Sequence, residues 1–120
     1  MKILKIDHIQ LAMPAGEEDV ATSFYDGVLG LTRVAKPEHL ARRGGCWFES
    51  ADVKIHLGVE EGFTPARKAH PALLVDDLDA LGEKLLSFGY QHYTDQPLEG
   101  YKRFYANDPF GNRIEFLEVL

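Results

Sequence analysis

Residues 107–119 read NDPFGNRIEFLEV, a cluster of turn-forming residues followed directly by an alternating strand pattern. Asn, Asp, Pro and Gly concentrate in the first six positions, which predicts a tight turn. In the strand that follows, Ile114 and Phe116 share one face and Glu115 lies on the other, because successive side chains of a strand alternate. The segment therefore predicts a closing strand over residues 113–119 that carries one carboxylate opposite its apolar face.

A second copy of this pattern lies in residues 53–59, which read VKIHLGV. Here the apolar side chains again share one face, and His56 occupies the position that corresponds to Glu115. The opening segments of the two halves also align, so that His8 corresponds to His70. The two offsets differ by only a few residues, which indicates one internal duplication with small changes in loop length.

Both halves predict the same element order: strand, helix, strand, strand, strand. The first half predicts a strand over 3–13, a helix from Gly16 that ends at Gly27 or Gly30, and strands over 31–35, 45–50 and 53–59. The second half predicts a strand over 69–75, a helix capped by Asp76 or Asp77 that runs through Phe88, and strands over 90–94, 102–106 and 113–119. We therefore predict an α+β fold of one domain, residues 1–120, made of two tandem βαβββ modules, 1–60 and 68–120.

The composition is that of an ordinary globular chain, with 120 residues, 45% hydrophobic side chains and a single cysteine, so no intramolecular disulfide is possible. The formal net charge is −6 and no basic run occurs, which argues against a nucleic-acid partner. No apolar segment approaches the length of a membrane span or a signal peptide. We therefore expect no membrane partner and a cytoplasmic location.

Metal-competent side chains occupy equivalent strand positions in the two halves: His8, His56, His70 and Glu115. Each is the polar exception opposite an apolar strand face, and we expect the helices to cover the apolar faces. The four side chains are then predicted to share the concave face of a curved sheet. Imidazole and carboxylate groups suit divalent ions such as Zn, Fe(II), Mn, Ni or Co. Taken singly, each residue has the alternative interpretation of a surface or hydrogen-bonded side chain.

Other residues give weaker signals. The cluster Tyr101, Lys102, Arg103 and Tyr105 either lines the mouth of a cavity, where Arg103 or Lys102 would pair with an anionic group, or forms a solvated edge strand. Trp47 either stacks on a ligand or packs in the core. His39 and His92 have no counterpart in the other half, so we predict that they are surface residues.

Four segments of the chain resemble the vicinal oxygen chelate superfamily, which includes glyoxalase I, bleomycin-resistance proteins, fosfomycin-resistance enzymes, methylmalonyl-CoA epimerase and extradiol dioxygenases. The segments are residues 6–12 (IDHIQLA), 24–31 (FYDGVLGL), 70–77 (HPALLVDD) and 108–115 (DPFGNRIE), and the resemblance covers essentially the whole chain. It implies that the two modules form an incomplete curved-sheet barrel with the helices outside, that the cavity holds a divalent metal ion, and that the protein forms a homodimer.

By position, the resemblance implies that His8, His70 and Glu115 are metal ligands. His56 occupies the remaining position, where glyoxalase-like and epimerase-like members tend to have Glu or Gln. It is then a fourth ligand, a base, or a hydrogen-bond donor to the substrate. Glu115 and His56 are accordingly the candidate catalytic residues.

The resemblance implies a glyoxalase-like enzyme that acts on a small molecule with vicinal oxygens, as a lyase, isomerase or epimerase. A metal in such a site is a Lewis acid, and a nearby carboxylate or imidazole moves a carbon-bound proton. The same ligand set also suits an Fe(II) dioxygenase. The alternative is a non-catalytic protein of the bleomycin-resistance type, which sequesters a cationic drug in an acidic dimer groove. The acidic net charge favours that alternative, and the retained ligand set argues against it.

Overall fold

The computed structural model describes all 120 residues and divides the chain into two compact units, Met1–Phe63 and Thr64–Leu120. The first unit contains β1 (Ile9–Met13), α1 (Glu18–Thr22) with a π-helical continuation (Ser23–Val28), β2 (Thr32–Val34), α2 (Glu38–Ala41), β3 (Cys46–Ser50) and β4 (Val53–Val59). The second contains β5 (Ala72–Leu74), α3 (Leu78–Ser87), β6 (His92–Tyr93), β7 (Tyr101–Asn107) and β8 (Arg113–Val119). No helix is long and apolar enough to span a membrane.

The two units have the same sheet topology. Their strand orders are β1-β4-β3-β2 and β5-β8-β7-β6, and neither sheet closes into a barrel. In each unit the first strand pairs in parallel with the last, and the other pairs are antiparallel. The register also repeats, because Gln10 pairs with His56 in the first unit and Ala72 pairs with Glu115 in the second. The α+β class and the tandem βαβββ repeat are therefore confirmed.

The first strand is shorter than predicted. The apolar run from Ile3 favours a strand by composition, but β1 begins only at Ile9, where pairing with Ile55 begins. A strand requires a partner for its backbone N–H and C=O groups, and the residues before Ile9 have none in this sheet. Ile3 and Ile6, which precede the paired segment, are 85% and 76% exposed.

The first helix also differs from the prediction. After one turn of α-helix, the N–H of Leu29 donates to the carbonyl oxygen of Phe24, five residues earlier, which is the spacing of a π-helical turn. In this wider turn, Phe24, Tyr25 and Val28 are all buried. Between the predicted strands over 31–35 and 45–50 lies the short helix α2, in which the N–H groups of Leu40 and Ala41 donate to the carbonyl of Pro37.

The second unit places α3 against its own sheet. The side chain of Asp77 caps the helix by accepting a hydrogen bond from the N–H of Ala80 at 2.9 Å. Of the two predicted caps, Asp76 and Asp77, the structure therefore has Asp77. Leu78 and Leu85 are buried on one face of α3. At Gly82 an added Cβ would lie 3.1 Å from the His92 ring, so the absence of a side chain allows the helix to pack closely on the sheet.

Candidate functional site

The turn before β8 fixes the position of Glu115. The Asp108 carboxylate accepts hydrogen bonds from the N–H groups of Phe110 and Asn112 and from the Asn112 side-chain amide, all at 2.9 Å. The Asn112 oxygen in turn accepts from the N–H of Ala66, and the N–H of Arg113 donates to the Ala66 carbonyl. This network of buried polar groups ties the start of β8 to the segment that leads to His70.

His70 and Glu115 are in direct contact in the second unit. The Nδ1–H of His70 donates to the Lys68 carbonyl oxygen at 2.8 Å, because a carbonyl can only accept. The other ring nitrogen, Nε2, lies 3.2 Å from Oε1 of Glu115. The Lys68 carbonyl therefore fixes the ring so that Nε2 faces the carboxylate, where it either donates a proton to Oε1 or is free to bind a metal ion.

Glu115 is buried among polar neighbours. Its second oxygen, Oε2, lies 3.4 Å from Nη1 of Arg103, and the same Nη1 donates to the Tyr105 hydroxyl at 3.1 Å. Burial alone would raise the pKa of Glu115, but hydrogen bonds to His70 and Tyr105 and the Arg103 guanidinium together hold that pKa below its usual range. Burial and the Glu115 carboxylate raise the pKa of Tyr105, so its phenol keeps its proton at neutral pH. We call His70, Glu115, Tyr105 and Arg103 the second cluster.

His56 lies in the middle of three stacked rings in the first unit. The Trp47 ring lies at a centroid distance of 4.0 Å and is tilted by 5°, and the His8 ring lies at 4.3 Å with a tilt of 21°. Because β1 and β3 flank β4, these two rings cover opposite faces of the His56 imidazole. Stacked imidazoles keep their lone pairs in nearly parallel planes, so in this arrangement His8 and His56 do not direct nitrogens at one ion.

The edge of the His56 ring meets a carboxylate that the sequence analysis did not single out. Nε2 of His56 is buried without a hydrogen bond, and Oε2 of Glu49 lies 3.5 Å away. Burial and the neighbouring His8 lower the pKa of His56, and Glu49 opposes this shift in part. Neutral His56 can therefore accept a proton. We call His8, His56, Trp47 and Glu49 the first cluster.

The two opening histidines are anchored in the same way. Nδ1 of His8 lies 2.9 Å from the Asp7 carboxylate, just as Nδ1 of His70 binds the Lys68 carbonyl. Histidines that bind metals generally donate their other ring N–H to a carboxylate or a backbone carbonyl, which fixes the ring and makes the ligand nitrogen more basic. The donor chemistry of both histidines thus fits a metal bound through Nε2.

The contacts within each unit correspond to each other under the duplication. His8 contacts His56 and His70 contacts Glu115, with Trp47 and Tyr105 at the matching positions on the neighbouring strand. In each unit taken alone, no group of three or more His, Cys, Asp or Glu side chains has an arrangement suited to a metal ion. The predicted site residues are thus brought together as two pairs.

The weaker candidates have distinct environments. Lys102 pairs with Asp79 of α3 and Tyr101 is partly exposed, whereas Arg103 and Tyr105 belong to the second cluster. His39 is exposed in α2 as predicted. His92 was also predicted to be a surface residue, but its ring stacks on the Phe104 ring at a centroid distance of 4.4 Å.

Comparisons with known proteins agree with this fold. The sequence model of the Glyoxalase/Bleomycin resistance protein/Dioxygenase superfamily matches residues 5–116. A crystal structure of a glyoxalase family protein from Bacillus anthracis is similar over 100% of this chain and 98% of its own, with 44% identity and a TM-score of 0.95. No curated protein matches the chain.

More distant structures share the fold. FosX, a fosfomycin resistance protein from Listeria monocytogenes, has 15% identity and a TM-score of 0.77, over 99% of this chain and 96% of its own. TnmS3, an antibiotic binding protein from a Streptomyces species, has 21% identity and a TM-score of 0.76, over 100% of this chain and 99% of its own. The family match over nearly the whole sequence shows that the chain belongs to the Glyoxalase/Bleomycin resistance protein/Dioxygenase superfamily.

Proposed function

We propose that this protein is a metal-dependent enzyme of the glyoxalase-like kind that acts on a small molecule with two neighbouring oxygen atoms. The observation that carries the proposal is the contact between His70 and Glu115. With its Nδ1 proton held by the Lys68 carbonyl, His70 directs Nε2 at a carboxylate oxygen 3.2 Å away. A ring nitrogen and a carboxylate oxygen at that distance repel each other unless a cation, either a proton or a divalent metal, lies between them.

The proposed ligands are the two histidines with anchored Nδ1 atoms, His8 and His70, together with Glu115. Two imidazoles and one carboxylate suit Zn, Ni, Mn, Co or Fe(II), and three protein ligands leave coordination positions for the substrate. When bound, such a metal supplies Lewis-acid activation of the oxygens that it contacts. Arg103 holds Glu115 on the side opposite His70, and Tyr105 adds a hydrogen bond that keeps the carboxylate oriented.

The proposed proton-transfer group is His56. Its Nε2 is buried, carries no hydrogen bond, and lies beside Glu49, which would stabilise the imidazolium that forms when the ring takes a proton. The stacked rings of His8 and Trp47 prevent His56 from turning away. Lyase, isomerase and epimerase reactions of this kind share one step, the removal of a proton from a carbon beside an activated oxygen. We favour these reaction types for this protein. With Fe(II), the same ligands would suit a dioxygenase.

Calorimetric titration of the metal-free, untagged protein with each of the five metals tests the ligand assignment. We expect wild type to bind at least one of them. His70→Ala and Glu115→Gln should each weaken binding by more than the roughly 10–100-fold that follows loss of an outer-shell partner, and so should His8→Ala. His39→Ala is the matched control, because it removes an exposed histidine from the first unit. Equal affinity in all four variants would refute the metal site.

Turnover distinguishes an enzyme from a sequestering protein. We expect compounds with vicinal oxygens to be converted only by the metal-loaded protein, and Glu115→Gln to lose this activity. Tight binding of such compounds without turnover, unchanged by a chelator, would instead support the non-catalytic alternative of the bleomycin-resistance type.

We also propose that the protein forms a homodimer. The side chains of Ile3, Leu4 and Ile6 are each at least three-quarters exposed, and they precede β1, an edge strand of its sheet. Exposed apolar side chains beside an unpaired strand edge favour association with another chain. Sedimentation at micromolar concentrations should report a dimer, and Ile3→Glu combined with Ile6→Glu should weaken it. A wild-type monomer under these conditions would contradict the proposal.

A further inference from the structure

A cavity of about 220 Å³ lies in the first unit, beside the end of β4. Its lining includes Gln10, Lys36, Leu40, Arg43, Trp47 and Gly58. The volume is below the roughly 300–1,000 Å³ of pockets that hold drug-sized ligands, so the cavity suits a small molecule. The two cations in its wall contrast with the net charge of −6 of the whole chain.

Neither cation is neutralised by the protein. Lys36 donates one hydrogen bond to the Gly44 carbonyl, which anchors the ammonium group and leaves it two further N–H donors. The Arg43 guanidinium forms no ion pair or hydrogen bond, and no carboxylate lies within 4.0 Å of either cation as a salt-bridge partner. The nearby Glu18 carboxylate accepts from the N–H of Gly45. The wall therefore presents donors and positive charge that no carboxylate of the protein pairs with.

The other side of the cavity offers an amide and an aromatic ring. A Cβ at Gly58 would lie 2.6 Å from Nε2 of Gln10, so the Gln10 amide can occupy this position only because residue 58 has no side chain. Trp47 lines the cavity and also stacks on His56. An aromatic wall accommodates a flat apolar body, whereas a lysine, an arginine and an amide bind an oxyanion.

We propose that this cavity binds a small organic anion, with the oxyanion group at Lys36 and Arg43 and a flat apolar body against Trp47 and Leu40. The oxyanion is a carboxylate or a phosphate monoester, since both accept several hydrogen bonds from cations. The site is built entirely from the first unit and requires no metal. It therefore goes beyond the proposed function and can be tested independently of it.

The single tryptophan of the chain makes the test direct, because Trp47 is the only indole that can report. The metal-free protein is titrated with benzoate, phenyl phosphate, benzamide and benzylamine while Trp47 fluorescence is recorded. We expect saturable changes with the two anions and none with the neutral amide or the amine. The tighter of the two anions identifies the headgroup. Inorganic phosphate, which lacks the flat body, should bind more weakly than phenyl phosphate.

Charge-neutralising variants locate the site. Arg43→Gln should weaken binding of the preferred anion by about tenfold or more, as expected for loss of a charge-assisted contact. The fold should tolerate this change because the Arg43 side chain has no partner to lose. Arg42→Gln alters the net charge equally at the neighbouring position, which does not line the cavity, and should leave affinity unchanged. Equal effects of the two variants, or equal binding of benzamide and benzoate, would overturn the proposal.

Discussion

Replacement of Glu115 by Gln removes one negative charge from the second cluster while almost preserving the shape of the side chain. Oε1 faces His70 at 3.2 Å and Oε2 faces Arg103 at 3.4 Å, and only 9% of the side chain is exposed. Gln retains one oxygen but presents an NH₂ group to one of these partners. At least one charge-assisted hydrogen bond is therefore removed, and an N–H donor meets either the His70 ring or a guanidinium.

The size of the effect follows from the hydrogen bond that the substitution removes. A hydrogen bond to a charged group contributes roughly 1.5–3 kcal/mol. We expect the free energy of unfolding of the metal-free protein to fall by about this amount. The decrease should stay below the roughly 3–5 kcal/mol that follows when one partner of a buried ion pair is removed outright, because Gln still fills the space and His70 and Arg103 reach some solvent.

Urea unfolding at neutral pH with a chelator present measures this decrease. The midpoint should move to lower urea at an unchanged slope, which separates a change in stability from a change in the surface exposed on unfolding. Glu83→Gln on the exposed face of α3 is the control and should change stability by no more than about 0.5 kcal/mol. If Glu115→Gln has the same midpoint as Glu83→Gln, the contacts of Glu115 do not stabilise the fold and this reasoning is refuted.

Three further outcomes are expected. Gly45→Ala should destabilise far more than Gly62→Ala in urea unfolding: both residues have positive φ, but a Cβ at Gly45 would lie 2.1 Å from a backbone carbonyl oxygen, whereas Gly62 has open space. Asp77→Ala should cost about 1 kcal/mol by loss of the helix cap, and Asp76→Ala far less. Burial and a neighbouring imidazole hold the pKa of His56 below its ordinary 6.5, so the unfolded chain takes up this proton first. Stability should therefore decline as the pH falls below about 6.5, and His56→Gln should reduce that slope in pH-dependent melting curves.

The repeat could be predicted from sequence because its signals are local. Strand alternation in 53–59 and 113–119 and turn residues before and after each strand define both closing hairpins. Alternation also places His56 and Glu115 on the faces opposite their apolar neighbours. The alignment of the two halves also agrees with the equivalent registers of β1 with β4 and of β5 with β8.

Glu49 was missed although the sequence contained a signal for it. The tight turn at Ala51-Asp52 fixes the hairpin register, which pairs Trp47 with His56. Because Glu49 lies two residues from Trp47, alternation places it on the same face as the His56 ring. Extending the register from the turn would have identified this carboxylate.

Other features depend on contacts that no local pattern encodes. The anchor of His70 is a backbone carbonyl, that of Lys68, and residue type does not predict its direction. The cavity depends on the path of the loop after α2, where Gly44 and Gly45 adopt φ values of 73° and 80°. Lys36, which precedes α2, donates a hydrogen bond across to the Gly44 carbonyl in this loop. Glycine permits such conformations without specifying them.

Histidine nitrogen resonances provide the most direct measurement of the central claim, that His70 presents Nε2 to a metal while the Lys68 carbonyl holds its Nδ1 proton. Long-range proton–nitrogen correlation spectra of the metal-free protein, recorded before and after addition of Zn, resolve the two ring nitrogens of each histidine. We predict that the Nε2 resonance of His70 shifts on metal addition, that its Nδ1 stays protonated throughout, and that Glu115→Gln abolishes or strongly weakens the shift. Unchanged His70 resonances at saturating metal, or a metal-induced loss of the Nδ1 proton, would contradict the account.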